Sequence, residues 1–388
     1  MSPRTALTPP DEDLAIGFQP SPPAADTRAL HQLQRALAPG ERPFLGLPDH
    51  LGQVMAELSQ LLGLFNGQQD GPYDDTRFAD GTRAHEKAVL TYFAALVGAS
   101  LDEAHGYVAA SPREALLHGL VMARRGLPEP SVYISEQAHY DVVRACELLG
   151  MNTVRVHALG DGTMDSDDLR LQTRMRRGAG ALVVATCGTP LHGAIDNVAE
   201  LRAAAAFGPV HIHVDASAGG LAAAHTDLVP PWSLAHGAHS ITLSGHPLLG
   251  LPVPAGVSLA RRVQAPPTNL PITAPDRLLV GARSGLSALL LWTRLRSLGR
   301  AGMAAVVARC QEIAAYALAQ FEAAGVAPER FPGSLTVTFE RPARWVVDKW
   351  SLHYSGDRAR IVTTGPMTYT AVDELAADLS AARQGVAA

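Results

Sequence analysis

Ser240-Ile241-Thr242-Leu243 runs straight into Ser244-Gly245-His246-Pro247-Leu248-Leu249-Gly250. An apolar, strand-like run thus gives way to a Gly- and Pro-containing turn, and Pro252-Val253-Pro254-Ala255-Gly256-Val257 follows. Working outward, the same unit recurs upstream. Short β-branched runs stand at Val132-Tyr133-Ile134, Thr153-Val154-Arg155-Val156, Leu182-Val183-Val184-Ala185 and Val210-His211-Ile212-His213-Val214. Helical stretches of about ten residues or more separate most of them, which predicts an α/β fold with a mostly parallel sheet between helices. Val253 to Leu259 reads as a returning strand. Beyond it, Leu286 to Leu298 and Met303 to Ala324 predict long helices. Ser334 to Phe339, Ala359 to Thr364 and Tyr369 to Ala382 then read strand, strand, helix, a small C-terminal α+β domain.

Ahead of the sheet, Met1 to Thr27 is rich in Pro, Ala and Asp and is expected to be a flexible arm. Arg28 to Ala38 and Leu51 to Leu62 have helical spacing. Asn66 to Asp80 reads as a long polar loop, of a length more often functional than not. His85 to Leu96 predicts a further helix. The expected organisation is therefore an arm over 1–27, a helical segment over 28–80, a large α/β domain over 81–285, and long helices with the small domain over 286–388.

Composition narrows the function classes. A chain of 388 residues, 47% hydrophobic and 18% charged, suits a globular protein with a sizeable core. Its net charge is -5 and its 32 basic residues are scattered, which argues against a nucleic-acid surface. No uninterrupted apolar run reaches about 18 residues, so no membrane span is expected. The N-terminus lacks the basic and apolar regions of a signal peptide. Cys146, Cys187 and Cys310 are far apart and show neither a disulfide framework nor metal-ligand spacing, so a reducing cytoplasm is the expected setting. Only Lys87 and Lys349 are lysines.

Several segments, in order along the chain, carry a resemblance. They are His85-Glu86-Lys87-Ala88-Val89-Leu90-Thr91-Tyr92-Phe93, Gly106-Tyr107-Val108, Tyr133-Ile134-Ser135-Glu136-Gln137-Ala138-His139-Tyr140 and Met164-Asp165-Ser166-Asp167-Asp168-Leu169. Gly188-Thr189-Pro190 with Gly193-Ala194-Ile195-Asp196, then His213-Val214-Asp215-Ala216, Ser244-Gly245-His246-Pro247 and Arg283-Ser284-Gly285, complete the set. Together they resemble the pyridoxal-phosphate (PLP) group II amino-acid decarboxylases, the histidine-decarboxylase-like enzymes of fold type I. The resemblance implies a PLP-transferase fold, a homodimer and a pocket for a small amino-acid-like or amine molecule. It also implies site roles: Asp215 as partner of the pyridine nitrogen, His139 as the ring-stacking group, and Ser111, Arg113, Thr189 and Ser244 at cofactor positions. His192 and Arg283 fall in loops that would meet substrate, and His246 is a candidate acid or base.

Two departures stand out. The family's S-G-H-K segment, whose lysine holds PLP as a Schiff base, reads S-G-H-P here, so Pro247 takes the lysine's place and cannot form an aldimine. The phosphate turn, G-G-T-E-G-N in the family, reads Ser111-Pro112-Arg113-Glu114-Ala115-Leu116. Ser111 and Glu114 form a capping box with Pro112 at the first helical position, which uses or removes the N–H donors a phosphate would take. Arg113 could still attract an anion. Each retained residue also has a plain structural reading: Asp215 as the cap of the following turn, His139 as a histidine satisfied at a strand-to-helix turn, and Cys187 as core.

Three functions are open at this point. The first is a repurposed pocket using acid–base chemistry with no covalent PLP, or with PLP or its amine form PMP held non-covalently. The second is an inactive binding or scaffolding subunit. The third is PLP-dependent amino-acid decarboxylation, as in the parent family.

Overall fold

The computed structural model describes residues 27–28, 31–33, 68–70, 81–127, 129–178, 180–262, 278–280, 282–364 and 367–385. The expected arm over 1–27 apart from Thr27, the helix Leu51 to Leu62 and most of Arg28 to Ala38 and Asn66 to Asp80 lie outside the described residues. Within the last of these, the short strand β1 (Gln68–Asp70) pairs antiparallel with β9 (Ala282–Ser284). The polar composition of that stretch hid a strand.

The main sheet has seven strands: β2 (Ala104–Ala109), β3 (Ser131–Ser135), β4 (Thr153–Val156), β5 (Ala181–Thr186), β6 (Val210–Ala216), β7 (Ser240–Ser244) and β8 (Gly256–Arg261). Their spatial order is β2-β8-β7-β6-β5-β3-β4. All neighbours from β7 to β4 are parallel, and β8 runs antiparallel to both β7 and β2. The returning strand expected at Val253 to Leu259 is β8, shifted toward the C-terminus because Pro252 and Pro254 cannot donate to the ladder. β2, β5 and β7 are buried along their whole length, as strands covered on both faces must be.

Helices α1 (Arg83–Leu96), α2 (Pro112–Gly126), α3 (Tyr140–Leu148), α4 (Ser166–Met175) and α5 (Val198–Ala204) pack on this sheet, followed by the short turns α6 (Gly220–Ala223) and α7 (His246–Leu249). On one face, Leu116, Leu120 and Ala123 of α2 and Val142 and Cys146 of α3 cover Val132, Ile134, Leu182 and Val184. On the other, Val89, Leu90 and Phe93 of α1 join Tyr133, Val183, Ala185, Ile212 and Val214. Gly119 lets α2 approach the sheet, because a Cβ there would collide with the ring of His213.

α8 (Gly285–Ala323) is two helices in line, broken at Gly299, whose φ of 63° and ψ of -177° leave the helix. The expected pair of helices follows this break. The C-terminal unit adds β10 (Thr336–Glu340), α9 (Arg344–Trp350), β11 (His353–Ser355), β12 (Arg358–Val362) and α10 (Tyr369–Arg383). Its sheet has the antiparallel order β10-β12-β11. Phe321, Val337, Phe339, Trp350, Ala359, Ile361 and Leu375 form its separate core. No described helix is long and apolar enough to cross a membrane.

Candidate active site

In an open α/β sheet, ligands meet the carboxyl ends of the parallel strands, where the loops diverge. Here a cavity of about 1010 Å³ opens at that edge. Thr186 at the end of β5 and Thr189 beyond it, Asp215 and Ser217 at β6, Ser244 at β7, and the turn after β3 from Glu136 to His139 with Tyr140 and Asp141 of α3 form its floor and one wall. Pro112 and Arg113 of α2 form another. Ser334, Thr336, His353, Tyr354 and Arg360 of the C-terminal unit close the far side.

Asp215 is largely buried, 8% exposed, at the end of an apolar strand. Its Oδ1 accepts from the Ser217 N–H at 3.2 Å and from the Ser217 hydroxyl at 2.6 Å. The turn-capping role is therefore real and occupies one carboxylate oxygen. Oδ2 has no hydrogen-bond partner among the described residues. His139 is the N-cap of α3, its Nδ1 accepting from the Asp141 N–H at 3.2 Å. With Nδ1 accepting, the neutral ring carries its proton on Nε2. Its imidazole lies against the Tyr140 ring, with centroids 4.3 Å apart. Thr189 lines the cavity while its hydroxyl accepts from the Ala194 N–H at 2.9 Å. Ser244 also lines it, buried at the end of β7.

The entrance to α2 carries the Ser111 half of the expected capping box, while Glu114 reaches back to the N–H of Ala110 instead of that of Ser111. Ser111 Oγ accepts from the Glu114 N–H at 3.2 Å, and Glu114 Oε2 accepts from the Ala110 N–H at 3.0 Å. Glu114 Oε1 takes the Tyr107 hydroxyl at 3.0 Å. Arg113 lines the cavity but is ion-paired with Asp141.

Three expected site residues do not line the cavity. Ser111 is turned into its own cap. The His192 ring packs against Gly162 beside the loop, and burial lowers its pKa. Arg283 is buried in a two-pronged pair with Glu86, and its Nη1 donates to the Val108 carbonyl at 3.2 Å. Glu86 also accepts from the Val108 N–H at 2.8 Å, so this pair pins α1 and β9 to β2 instead of meeting substrate. The backbone of His246 and Pro247 opens α7 directly after β7; their side chains lie outside the described residues.

The other motif residues are structural. Asp196 is buried and accepts from the Met164 and Thr186 N–H groups, both at 2.7 Å, while burial raises its pKa to about 6. His213 is enclosed, bonded to the Ser240 hydroxyl at 2.8 Å and the Thr242 hydroxyl at 3.2 Å, and burial lowers its pKa to about 3. Burial, then Asp196 and Asp215, push the Cys187 thiol well up, which keeps it inert. Neither lysine reaches the cavity. Lys87 is exposed on α1, and Lys349 on α9 pairs with Asp378 at 2.6 Å.

Sequence reasoning missed Arg360, which lines the cavity from β12. The available signal was its spacing: Arg358 and Arg360 alternate with Ala359 and Ile361, which places both arginines on one face of a half-buried strand.

Comparison with known proteins accounts for this arrangement. Residues 86–271 match the family model described as the pyridoxal-dependent decarboxylase conserved domain. The histidine decarboxylase of Klebsiella aerogenes is 31% identical over 308 residues, covering 76% of this chain and 82% of that one. That of Vibrio campbellii is 32% identical over 308 residues, covering 76% and 80%. Among solved structures, L-methionine decarboxylase from Streptomyces sp.590 superposes with a TM-score of 0.83 at 20% identity, covering 97% of this chain and 99% of that one. Lactobacillus brevis glutamate decarboxylase superposes at 0.74 with 18% identity, covering 96% and 94%. These structural likenesses carry the fold, and the sequence relatives carry the membership: this chain belongs to the pyridoxal-dependent decarboxylase family, on the fold type I scaffold.

Proposed function

We propose that this protein binds an amino-acid-like or amine molecule in the cavity at the carboxyl edge of its sheet and acts on it without a lysine-bound PLP. One observation carries the reading. The chain has two lysines in all, one exposed on α1 and the other paired with Asp378, and neither lines the cavity. On this reading Pro247 stands where the family carries its Schiff-base lysine.

The residues present fit the cofactor's ring better than its anchors. Asp215 Oδ2 suits a pyridinium N–H or a substrate ammonium, and His139 at the cavity wall suits a flat ring. The phosphate end does not fit. Pro112 has no N–H, the Glu114 N–H is taken by Ser111, and Arg113 is held by Asp141. A covalently anchored PLP therefore has no place in the proposal, and PLP or PMP enters only as a ligand held without a covalent bond.

The chain's own groups can still handle a proton. His139 holds one at Nε2 while Nδ1 accepts from the Asp141 backbone. A second proton at Nδ1 would displace that backbone bond and face Asp141 Oδ2, 3.6 Å away. Asp215 supplies a fixed negative charge at the floor, and Thr186, Thr189 and Ser244 surround it. A homodimer in a reducing cytoplasm belongs to the same proposal, and sedimentation of the purified chain tests the dimer.

The histidine decarboxylase relatives favour a second reading, PLP-dependent amino-acid decarboxylation. An assay for CO2 release from L-histidine and other L-amino acids, with PLP added, separates the two. The proposal expects no turnover above buffer with free PLP, and sustained release by the protein would establish the second reading. An inactive binding subunit would bind a ligand and turn over none.

A further inference from the structure

Under α2 the buried face of the sheet is polar well beyond the cavity. Strand pairing sets Thr186, Asp215, Thr242, Ser258 and Tyr107 side by side across β5, β6, β7, β8 and β2. Paired residues of neighbouring strands share a face, and alternation along β6 puts His211 and His213 on the face of Asp215. Thr186 and Asp215 line the cavity, whereas Thr242, Ser258 and Tyr107 do not and are fully buried. At the far end of this row, the Tyr107 hydroxyl is taken by Glu114, and Ser258 Oγ lies 2.7 Å from His118 Nδ1. Thr242, beside Asp215, is met by His213.

One run of hydrogen bonds leads along this layer toward Asp215. His211 Nε2 lies 2.9 Å from Ser240 Oγ, Ser240 Oγ lies 2.8 Å from His213 Nδ1, and His213 Nε2 lies 3.2 Å from Thr242 Oγ1. Burial lowers the pKa of His211 to about 2 and of His213 to about 3, so both rings are neutral. A neutral ring has one N–H, and a serine has one O–H. Two arrangements then keep all three bonds with the Ser240 proton inside the run. In the first, His211 donates to Ser240, Ser240 donates to His213 Nδ1, and His213 donates from Nε2 to Thr242, whose own proton points away from the ring. In the second, every donor is reversed, and Thr242 spends its proton on His213. No group changes its charge between the two. Asp215 decides which is favoured. It is the cross-strand neighbour of Thr242, on strands about 5 Å apart, and buried negative charge favours dipoles whose positive ends face it. The first arrangement turns the Thr242 proton toward the carboxylate, as an oriented dipole across the ladder. The second turns the hydroxyl lone pairs toward it.

We propose that His213 is a positioning residue for Asp215: held in its Nε2–H tautomer by Ser240, it turns the Thr242 hydroxyl toward the carboxylate and supports the negative charge that meets a cationic ligand group. This deepens the proposed function and rests on it for the use of the carboxylate, whereas the tautomer is set by the fold and needs no ligand. His213 itself never reaches the cavity and acts only through Thr242.

The test is nitrogen NMR of the full chain carrying isotope-labelled histidine. The His213 signals are assigned by their loss in His213→Gln, or through the backbone of the wild type if that variant does not fold. The expected wild-type ring is protonated at Nε2 and bare at Nδ1. Asp215→Asn, which removes the charge and keeps an oxygen for Ser217, should lower the ratio of the Nε2–H to the Nδ1–H form about tenfold. Ser240→Ala leaves Asp215 untouched and should also lose the preference. Its melting temperature confirms folding, and in calorimetric titration with a panel of L-amino acids and their amines it should bind the tightest ligand about tenfold more weakly than the wild type. A wild-type ring protonated at Nδ1, or a tautomer ratio that Asp215→Asn leaves unchanged, overturns the relay and leaves the proposed function standing. A ratio that follows Asp215 while Ser240→Ala binds as tightly as the wild type overturns the positioning role and leaves only a structural network. If no amino acid or amine in the panel binds the wild-type chain, the proposed function falls and the positioning role falls with it, whatever the tautomer.

Discussion

The entrance to α2 and the floor and far wall of the cavity face the same space but use their polar groups in opposite ways. At the entrance, Ser111, Glu114 and Arg113 are each committed to another part of the chain, and Pro112 has no N–H to offer. At the floor and far wall, Asp215 keeps one oxygen uncommitted and Arg360 has no partner among the described residues. The contrast separates what holds the fold from what meets a ligand. Polar groups that the chain satisfies internally contribute to stability, and those it leaves over contribute to binding.

Breaking a committed group should therefore cost stability. The largest effect is expected for Glu86→Ala, which strips a buried arginine of its acid partner and should cost roughly 3–5 kcal/mol in urea unfolding. Acid comes next. Burial lowers the pKa values of His211 to about 2 and His213 to about 3, so the folded state keeps both neutral while the unfolded chain takes up protons below its ordinary value near 6.5. Stability is then complete above that value and falls with pH by about 1.4 kcal/mol per unit for each histidine. Asp196, raised to about 6, binds its proton first in the folded state and offsets about one histidine between pH 6 and 4. The net expectation is a loss on the order of 3 kcal/mol from pH 6.5 to 4.5, read from urea midpoints.

Groups left over should behave differently. Asp215→Asn keeps a side-chain oxygen for the Ser217 bonds, so stability should move by no more than about 0.5 kcal/mol. Affinity for the amino acid or amine identified by titration should fall about tenfold. A large stability loss with unchanged affinity would reassign Asp215 to the committed group. The smallest effect is expected for Ser111→Ala, about 1 kcal/mol of stability from the lost cap with ligand affinity unchanged. A loss of affinity there would mean that the α2 entrance still serves a ligand.

Much of this architecture was legible in the sequence because β-branched runs and helical spacing report burial directly. Six of the seven strands of the main sheet, the split of α8 at Gly299 and the Ser111 N-cap follow from such local patterns, whereas β2 was not read as a strand. The α9 helix and β11 escaped notice. The first is short, and the second is exposed at all three positions, so neither shows a periodicity long enough to read. Site assignments failed where they depended on distant partners. Arg283 was placed in the site by its loop, but Glu86, 197 residues away in sequence, holds it in the core. His192 sits in a loop whose flanking residues line the cavity while its own ring packs on Gly162. Arg360 was overlooked for the converse reason, since nothing local distinguishes it from its paired neighbour Arg358.

The central claim is that no lysine of this chain anchors PLP. The most direct measurement is intact-mass and peptide analysis after incubation with PLP and reduction with borohydride. The account predicts no pyridoxyl adduct at stoichiometric PLP, even where absorbance shows PLP retained by the protein. A stoichiometric adduct on Lys87 or Lys349 would contradict it.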